Sequence, residues 1–143
     1  MPVRVERRGA VLIATLEREA KRNAIDPELA AGIDAALNRL EDDPELRVGI
    51  LTGGSEVFSA GSDLRLGSGE PSSRGGEYGV IRRPHTKPRI AAVEGLAFGG
   101  GMEIVLACDL VVASRGARFG LPEIKRGLFA VYGGAFRTAR ALP

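Results

Sequence analysis

Between Ile90 and Ser114 the chain reads IAAVEGLAFGGGMEIVLACDLVVAS, and these twenty-five residues constrain the fold more than any other stretch. A short apolar, partly β-branched run from Ile90 to Val93 leads through Gly95 to three consecutive glycines, Gly99, Gly100 and Gly101. An apolar helix from Met102 to about Cys108 and a second strand complete a β-turn-α-β unit. Without Cβ atoms the glycine turn can take φ > 0 and let a ligand approach the main chain, and the first N–H groups of the helix have no intrahelical partner. Such a turn suits an anion or an oxyanion. The helix is apolar around most of its circumference and is expected to be buried. Its one charged residue before Asp109 is Glu103. The helix dipole favours a carboxylate in the first turn by about 0.3 to 1 kcal/mol, which explains the position but not the burial. Acidic side chains are rarely buried without a partner, so Glu103 reads either as a dipole-stabilised residue or as a functional carboxylate.

Ahead of this unit, Val3 to Glu6 and Ala10 to Leu16 read as strands of a hairpin, separated by Arg7-Arg8-Gly9. Lys21-Arg22-Asn23-Ala24 is a polar loop. Asp26-Pro27 supplies an N-cap followed by proline at the first helical position. Leu29, Ile33, Leu37 and Leu40 then recur at helical spacing, so the spacing predicts an amphipathic helix ending near Asp42-Asp43-Pro44. Arg47 to Thr52 reads as a buried strand, which makes strand, helix and strand a βαβ crossover. Val57 to Leu64, VFSAGSDL, offers a second turn of small residues whose N–H groups can face a ligand, although an ordinary loop has the same composition. Gly67 to Pro88 is rich in Gly, Ser, Pro and Arg and is expected to be a mobile loop or lid. It holds the only histidine, His85, read as a solvated loop residue because no carboxylate or serine pattern marks a partner for it. Beyond the central unit, Glu123 follows Pro122 and reads as a helix-start residue or a second functional carboxylate.

At 143 residues and 44% hydrophobic residues the chain has the length of one domain and enough apolar content for a core. Its net charge is only +2, its basic residues are scattered and it has no Trp, which argues against a nucleic-acid surface. A single cysteine, Cys108, cannot form an internal disulfide and has no cysteine neighbour for a metal motif; it reads as a small core residue in a reducing compartment. No apolar stretch is long enough to span a membrane, and VLIATL is too short and too closely flanked by charge for a signal peptide. A soluble cytoplasmic protein without bound metal is expected.

The segments FSAGSDL, GLAFGGGMEIVLACD and FGLPEIKRG stand in the order and at the spacing of the crotonase superfamily, the enoyl-CoA hydratase and isomerase proteins, and the chain resembles that family over nearly its whole length. The resemblance implies an α/β fold, the N-terminal part of a spiral core of ββα turns. It implies a backbone oxyanion hole for an acyl-CoA thioester, mapped by motif onto Ala60 and Gly100. It also implies a water held between Glu103, the base that activates it for attack at C3, and Glu123, the acid that protonates C2. The CoA-contacting loops would be Lys21, Arg22, Asn23 and Ala24, and Ala60, Gly61, Ser62 and Asp63. No cofactor is implied, since the CoA thioester is the substrate.

Two features depart from the family pattern. Many hydratases have Pro-Gly-Ala before the final Gly-Gly, where this chain has Ala130-Val131-Tyr132 before Gly133-Gly134, which bears on acyl-chain preference. Family members also continue with helices that cover the acyl pocket and form trimers or dimers of trimers, whereas this sequence stops at Pro143. Residues 1–143 are therefore expected to be a single core domain lacking the C-terminal helical region, either a fragment of a longer protein or one completed by a partner. Apolar surface is expected around Phe129, Tyr132 and Phe136, and with it self-association. The favoured activity is enoyl-CoA hydration. The alternatives are double-bond isomerisation led by Glu123, thioester hydrolysis, or a non-catalytic acyl-CoA-binding fragment.

Overall fold

The computed structural model describes residues 2–142. Strands β1 (Val3–Arg8) and β2 (Val11–Leu16) form an antiparallel hairpin in which Val3 lies opposite Leu16 and Arg8 opposite Val11. The turn is therefore Gly9-Ala10, later than the composition suggests: on the outermost strand Arg7 and Arg8 hold extended backbone while their side chains reach solvent. Helix α1 (Pro27–Asp42) starts where expected, with the Asp26 carboxylate accepting the Leu29 N–H at 2.8 Å. Its apolar stripe, Leu29, Ile33, Leu37 and Leu40, is buried against the sheet. Strand β3 (Val48–Thr52) returns parallel to β2, completing the crossover.

From β3 onward the chain repeats one device. A strand joins the large sheet, and a short strand then joins a second, smaller sheet. The pairs are β3 with β4 (Val57–Ser59), β5 (Arg89–Val93) with β6 (Leu96–Phe98), and β7 (Leu110–Ala113) with β8 (Arg118–Gly120). The large sheet has the order β1-β2-β3-β5-β7 and the small one β4-β6-β8. Sequence periodicity missed β6 because three residues are too few to show it. The switch between sheets is made at Gly95, where φ is +65° and a Cβ would overlap the Glu56 carbonyl. Helix α2 spans Gly100–Leu106, starting and stopping two residues before the expected bounds, and its turns from Gly100 to Val105 are buried as expected. Because β4, β6 and β8 are mutually parallel, their carboxyl ends emerge on one edge, and ligand sites in parallel α/β sheets sit at such ends.

The segment Gly67 to Pro88 is no lid. Tyr78, Val80 and Ile81 are buried in the core against α1. The Arg83 guanidinium, itself buried, pairs with Asp34 and donates to Asn38 Oδ1 at 2.7 Å and to the Gly79 carbonyl at 3.0 Å. A buried arginine needs such partners, and the two side chains among them come from α1, far away in sequence. Nor is His85 a free loop residue. It is half-buried, its Nε2 lies 2.9 Å from Asp109 Oδ1 and its Nδ1 2.8 Å from the Arg89 guanidinium, which ties the segment to the start of β7. Its carboxylate partner, Asp109, stands just before β7, 24 residues further along the chain, which no local pattern announces. Cys108 is half-buried beside the Ile104 carbonyl, and burial pushes its thiol up to about 12. Among the described residues no helix is long and apolar enough to cross a membrane, and no group of three or more His, Cys, Asp or Glu is placed to hold a metal ion.

Candidate active site

The three carboxyl ends of the small sheet deliver the three sequence segments to one place. Ser59 runs into Ala60-Gly61-Ser62, Phe98 into Gly99-Gly100, and Gly120 into Leu121-Pro122-Glu123. They border a cavity of about 560 Å³ whose walls include Ser62, Tyr78, Gly100, Glu103, Glu123 and Tyr132. The first two turns nearly touch: a Cβ on Gly61 would lie 3.1 Å from the Gly100 nitrogen.

Hydrogen-bond accounting corrects one assignment. The Ala60 N–H is already used, donating to the Arg22 carbonyl at 3.0 Å, and the Gly61 N–H faces Ser59 Oγ at 3.2 Å. Ile25 brackets the next residue, donating to the Gly61 carbonyl and accepting from the Asp63 N–H, each at 2.8 Å. The Ser62 N–H is left with no acceptor among the described residues. Of this turn, then, Ser62 rather than Ala60 has an amide to give a ligand. The sequence marks the turn as small but cannot tell which of its amides another loop consumes.

The proposed CoA loop divides in the same way. Asn23 is fully buried and spent on the protein: its Oδ1 accepts the Arg18 N–H at 2.7 Å, and its amide donates to the Val57 and Phe58 carbonyls at 3.1 Å. Lys21 and Arg22 are exposed, and only Ala24 of the four lines the cavity. Asp63 also lies outside the lining. Its carboxylate accepts from the Arg65 and Leu66 amides and from Arg18 at 2.9 Å, which together hold it below the usual carboxylate range. Arg18, unmarked in the sequence, also pairs with Asp26 at 3.0 Å and so pins the two loops together.

Glu103 projects from the first turn of α2 and is 2% exposed. Its Oε1 accepts the Tyr132 N–H at 2.8 Å and the Gly134 N–H at 3.0 Å, the first from the turn before helix α3 (Gly134–Ala141) and the second from the helix's first residue. Oε2 has no protein partner among the described residues and is the oxygen free for chemistry. Burial pushes this carboxyl above its ordinary value, and the two amides and Arg137 only partly oppose that. Glu123 stands in a 3-10 turn, Pro122–Arg126, with Oε2 buried and unpartnered. Its Oε1 is near Gly99, 3.2 Å from where a Cβ would sit there. A buried acceptor without a donor is expensive in a folded chain and marks a place for a ligand hydrogen.

Tyr78 escaped the sequence reading, and so did the hold that the Tyr132 and Gly134 amides have on Glu103. The apolar tetrad Tyr78-Gly79-Val80-Ile81 inside a polar segment is the signal that the segment packs inward. The tyrosine rings meet edge to face, with centroids 5.1 Å apart and planes at 89°. Tyr132 is thus packed against the core, while Phe129 and Phe136 are exposed as expected. The arrangement offers unspent amides on two facing turns, which can hold an oxygen that gains negative charge, and two carboxyls on one cavity, which can take and give protons.

Comparison with known proteins shows the family. The family model for enoyl-CoA hydratase/isomerase matches residues 6–143. Enoyl-CoA hydratase EchA19 of Mycobacterium tuberculosis is 42% identical over 97% of this chain and 56% of its own length. Mevalonyl-coenzyme A hydratase sidH of Aspergillus fumigatus is 43% identical over 92% of this chain and 52% of its own length. The structure of a carnitinyl-CoA dehydratase from Mycobacterium avium superposes with a TM-score of 0.91 at 45% identity, covering 99% of this chain and 58% of that one. The chain spans about half the length of the relatives it matches.

Proposed function

The chain belongs to the enoyl-CoA hydratase/isomerase family of the crotonase superfamily, and from that premise we propose that its site adds water across the 2,3 double bond of an enoyl-CoA thioester, a lyase reaction run in either direction. The observation that carries the proposal is the carboxyl pair on one cavity, with Glu103 pinned through Oε1 by two amides and Oε2 left free. The thioester oxygen sits between the Ser62 and Gly100 N–H groups, and polarisation of that carbonyl makes C3 electrophilic. Glu103 accepts one proton of the water as its oxygen bonds to C3, and the electron pair of the double bond moves toward the thioester oxygen. Glu123 then delivers a proton to C2. The product is a 3-hydroxyacyl-CoA, and solvent exchange restores the two protonation states. Each acid or base is worth about 10² to 10⁴ in rate, and each oxyanion donor about 10² to 10³.

The proposal puts the acyl group against apolar walls that include Phe98, Leu128 and Val131, and the CoA moiety along Ala24 and the Ala60 to Ser62 turn. Exposed Lys21 and Arg22 are available to its phosphates. A cytoplasmic location and a homo-oligomer are part of the same reading, and the exposed Phe129 and Phe136 support the second. The test is to incubate the chain with a short 2-enoyl-CoA in ¹⁸O-labelled heavy water. The proposal expects ¹⁸O in the C3 hydroxyl and deuterium at C2. Deuterium exchange or double-bond migration without ¹⁸O would favour an isomerase, and release of free CoA a thioester hydrolase.

A further inference from the structure

Tyr78 touches both amide-bearing turns, and neither the carboxyl pair nor the backbone donors account for its hydroxyl. It is buried, and its oxygen lies 2.7 Å from Ser62 Oγ. A Cβ on Gly100 would come within 2.5 Å of that same oxygen. The phenol tip therefore sits between the two residues whose amides face the cavity. Its backbone is held at φ +53°, a left-handed conformation that a bulky side chain adopts only when its surroundings impose it. The ring itself is packed edge to face against Tyr132.

The pair Ser62 and Tyr78 has two hydroxyl hydrogens and spends one of them on the bond between the two oxygens. The second has no protein acceptor among the described residues, although both side chains line the cavity. A buried donor without an acceptor is unfavourable, so that hydrogen is available to an oxygen within the cavity. Burial raises the Tyr78 phenol above its ordinary value, and it stays protonated at any working pH.

Resting on the hydratase reading, we propose that the Tyr78 hydroxyl is a third donor to the thioester oxygen, with the Ser62 hydroxyl donating to the phenol oxygen behind it. A phenol is the more acidic of the two hydroxyls and so the better outward donor, and a donor behind it strengthens the bond it makes. No proton is transferred: the hydrogen bond tightens as the oxygen gains charge and relaxes as the product forms. The same geometry gives Gly100 a second reason to be glycine, because any side chain there would displace the phenol before it met a ligand.

The test uses a 2-enoyl-CoA conjugated to an aryl group, whose absorption moves to the red as its carbonyl is polarised. The chain itself should bind this probe and shift it. Tyr78→Phe, which keeps the ring and its packing, should reduce the shift and lower kcat by about 10- to 100-fold with KM little changed. Ser62→Ala, which keeps the backbone amide, should produce a smaller loss in both. Should Tyr78→Phe lose its fold, replacing Tyr78 by 3-fluorotyrosine, a stronger acid of nearly the same shape, should increase the shift. An undiminished shift and rate in Tyr78→Phe, or a shift indifferent to fluorination, overturns the proposal. A larger loss in Ser62→Ala than in Tyr78→Phe overturns it too, making serine the outward donor. No binding or shift in the unsubstituted chain removes the hydratase reading itself.

Discussion

The first crossover and the last strand pair both add a parallel strand to the large sheet and end in opposite states. In β2-α1-β3 every large apolar residue of the helix stripe is buried, and the sheet beneath it is flanked on both sides. β7, at the opposite edge of the sheet from β1, has all four residues exposed, Val112 at 64% among them, and Ile124, Phe129 and Phe136 are exposed as well. The two glutamates straddle this boundary. Glu103 belongs to the closed side, gripped by two amides, whereas Glu123 stands on a turn with no buried residue. What the contrast teaches is that one half of the proposed acid-base pair is preorganised by packing and the other stands on a largely exposed turn.

Glycines at matching joints give the sharpest way to break that contrast. Gly95 joins β5 to β6 and Gly116 joins β7 to β8, but a Cβ on Gly95 overlaps the Glu56 carbonyl while one on Gly116 meets nothing within 4 Å. Gly95→Ala is expected to prevent folding and Gly116→Ala to leave the melting temperature essentially unchanged, as circular dichroism will show. Next in size, Leu37→Ala on the closed side should cost about 2 to 5 kcal/mol in denaturant unfolding. At the open edge Val112→Lys should change stability by less than about 0.5 kcal/mol and instead shift light scattering toward smaller species, since a charge on an edge strand opposes pairing. Equal losses at positions 37 and 112 would erase the distinction.

A smaller effect concerns Glu103 itself. Its folded-state pKa is raised, chiefly by burial, so folding disfavours the ionised form. The stability this group permits is fully present below the ordinary carboxylate pKa and is lost as pH rises through the raised one. Glu103→Gln should therefore melt higher than the unsubstituted chain at neutral pH, and the gap should close as pH falls below the usual carboxylate range. A variant that melts lower at neutral pH would mean that the two amide bonds outweigh burial.

How much of this was legible in the sequence follows the range of the interactions. The hairpin and α1 could be read because alternation and helical spacing are local, and Asp26 caps a helix only three residues away from its donor. The three motifs were legible as motifs, and the repeat of strand pairs explains why they meet. The packing of Tyr78 through Ile81, the ion pair of Arg83 with Asp34, the contact of His85 with Asp109, and the consumption of the Ala60 and Asn23 hydrogen-bonding groups were not legible. Each depends on a partner brought up by the fold rather than by the adjoining residues. Composition marks Gly67 to Pro88 as polar, yet four consecutive residues within it are core.

The central claim, that water adds between Glu103 and Glu123, is tested most directly by measuring conversion of a 2-enoyl-CoA to the 3-hydroxyacyl-CoA in Glu103→Gln and Glu123→Gln, with thioester affinity measured alongside. Glutamine keeps the size and the Oε1 acceptor but cannot exchange a proton. The account predicts that each substitution alone lowers the rate by at least about 10²-fold while affinity changes little. A mild effect of Glu103→Gln beside a severe one of Glu123→Gln, or binding without turnover in the unsubstituted chain, would contradict it.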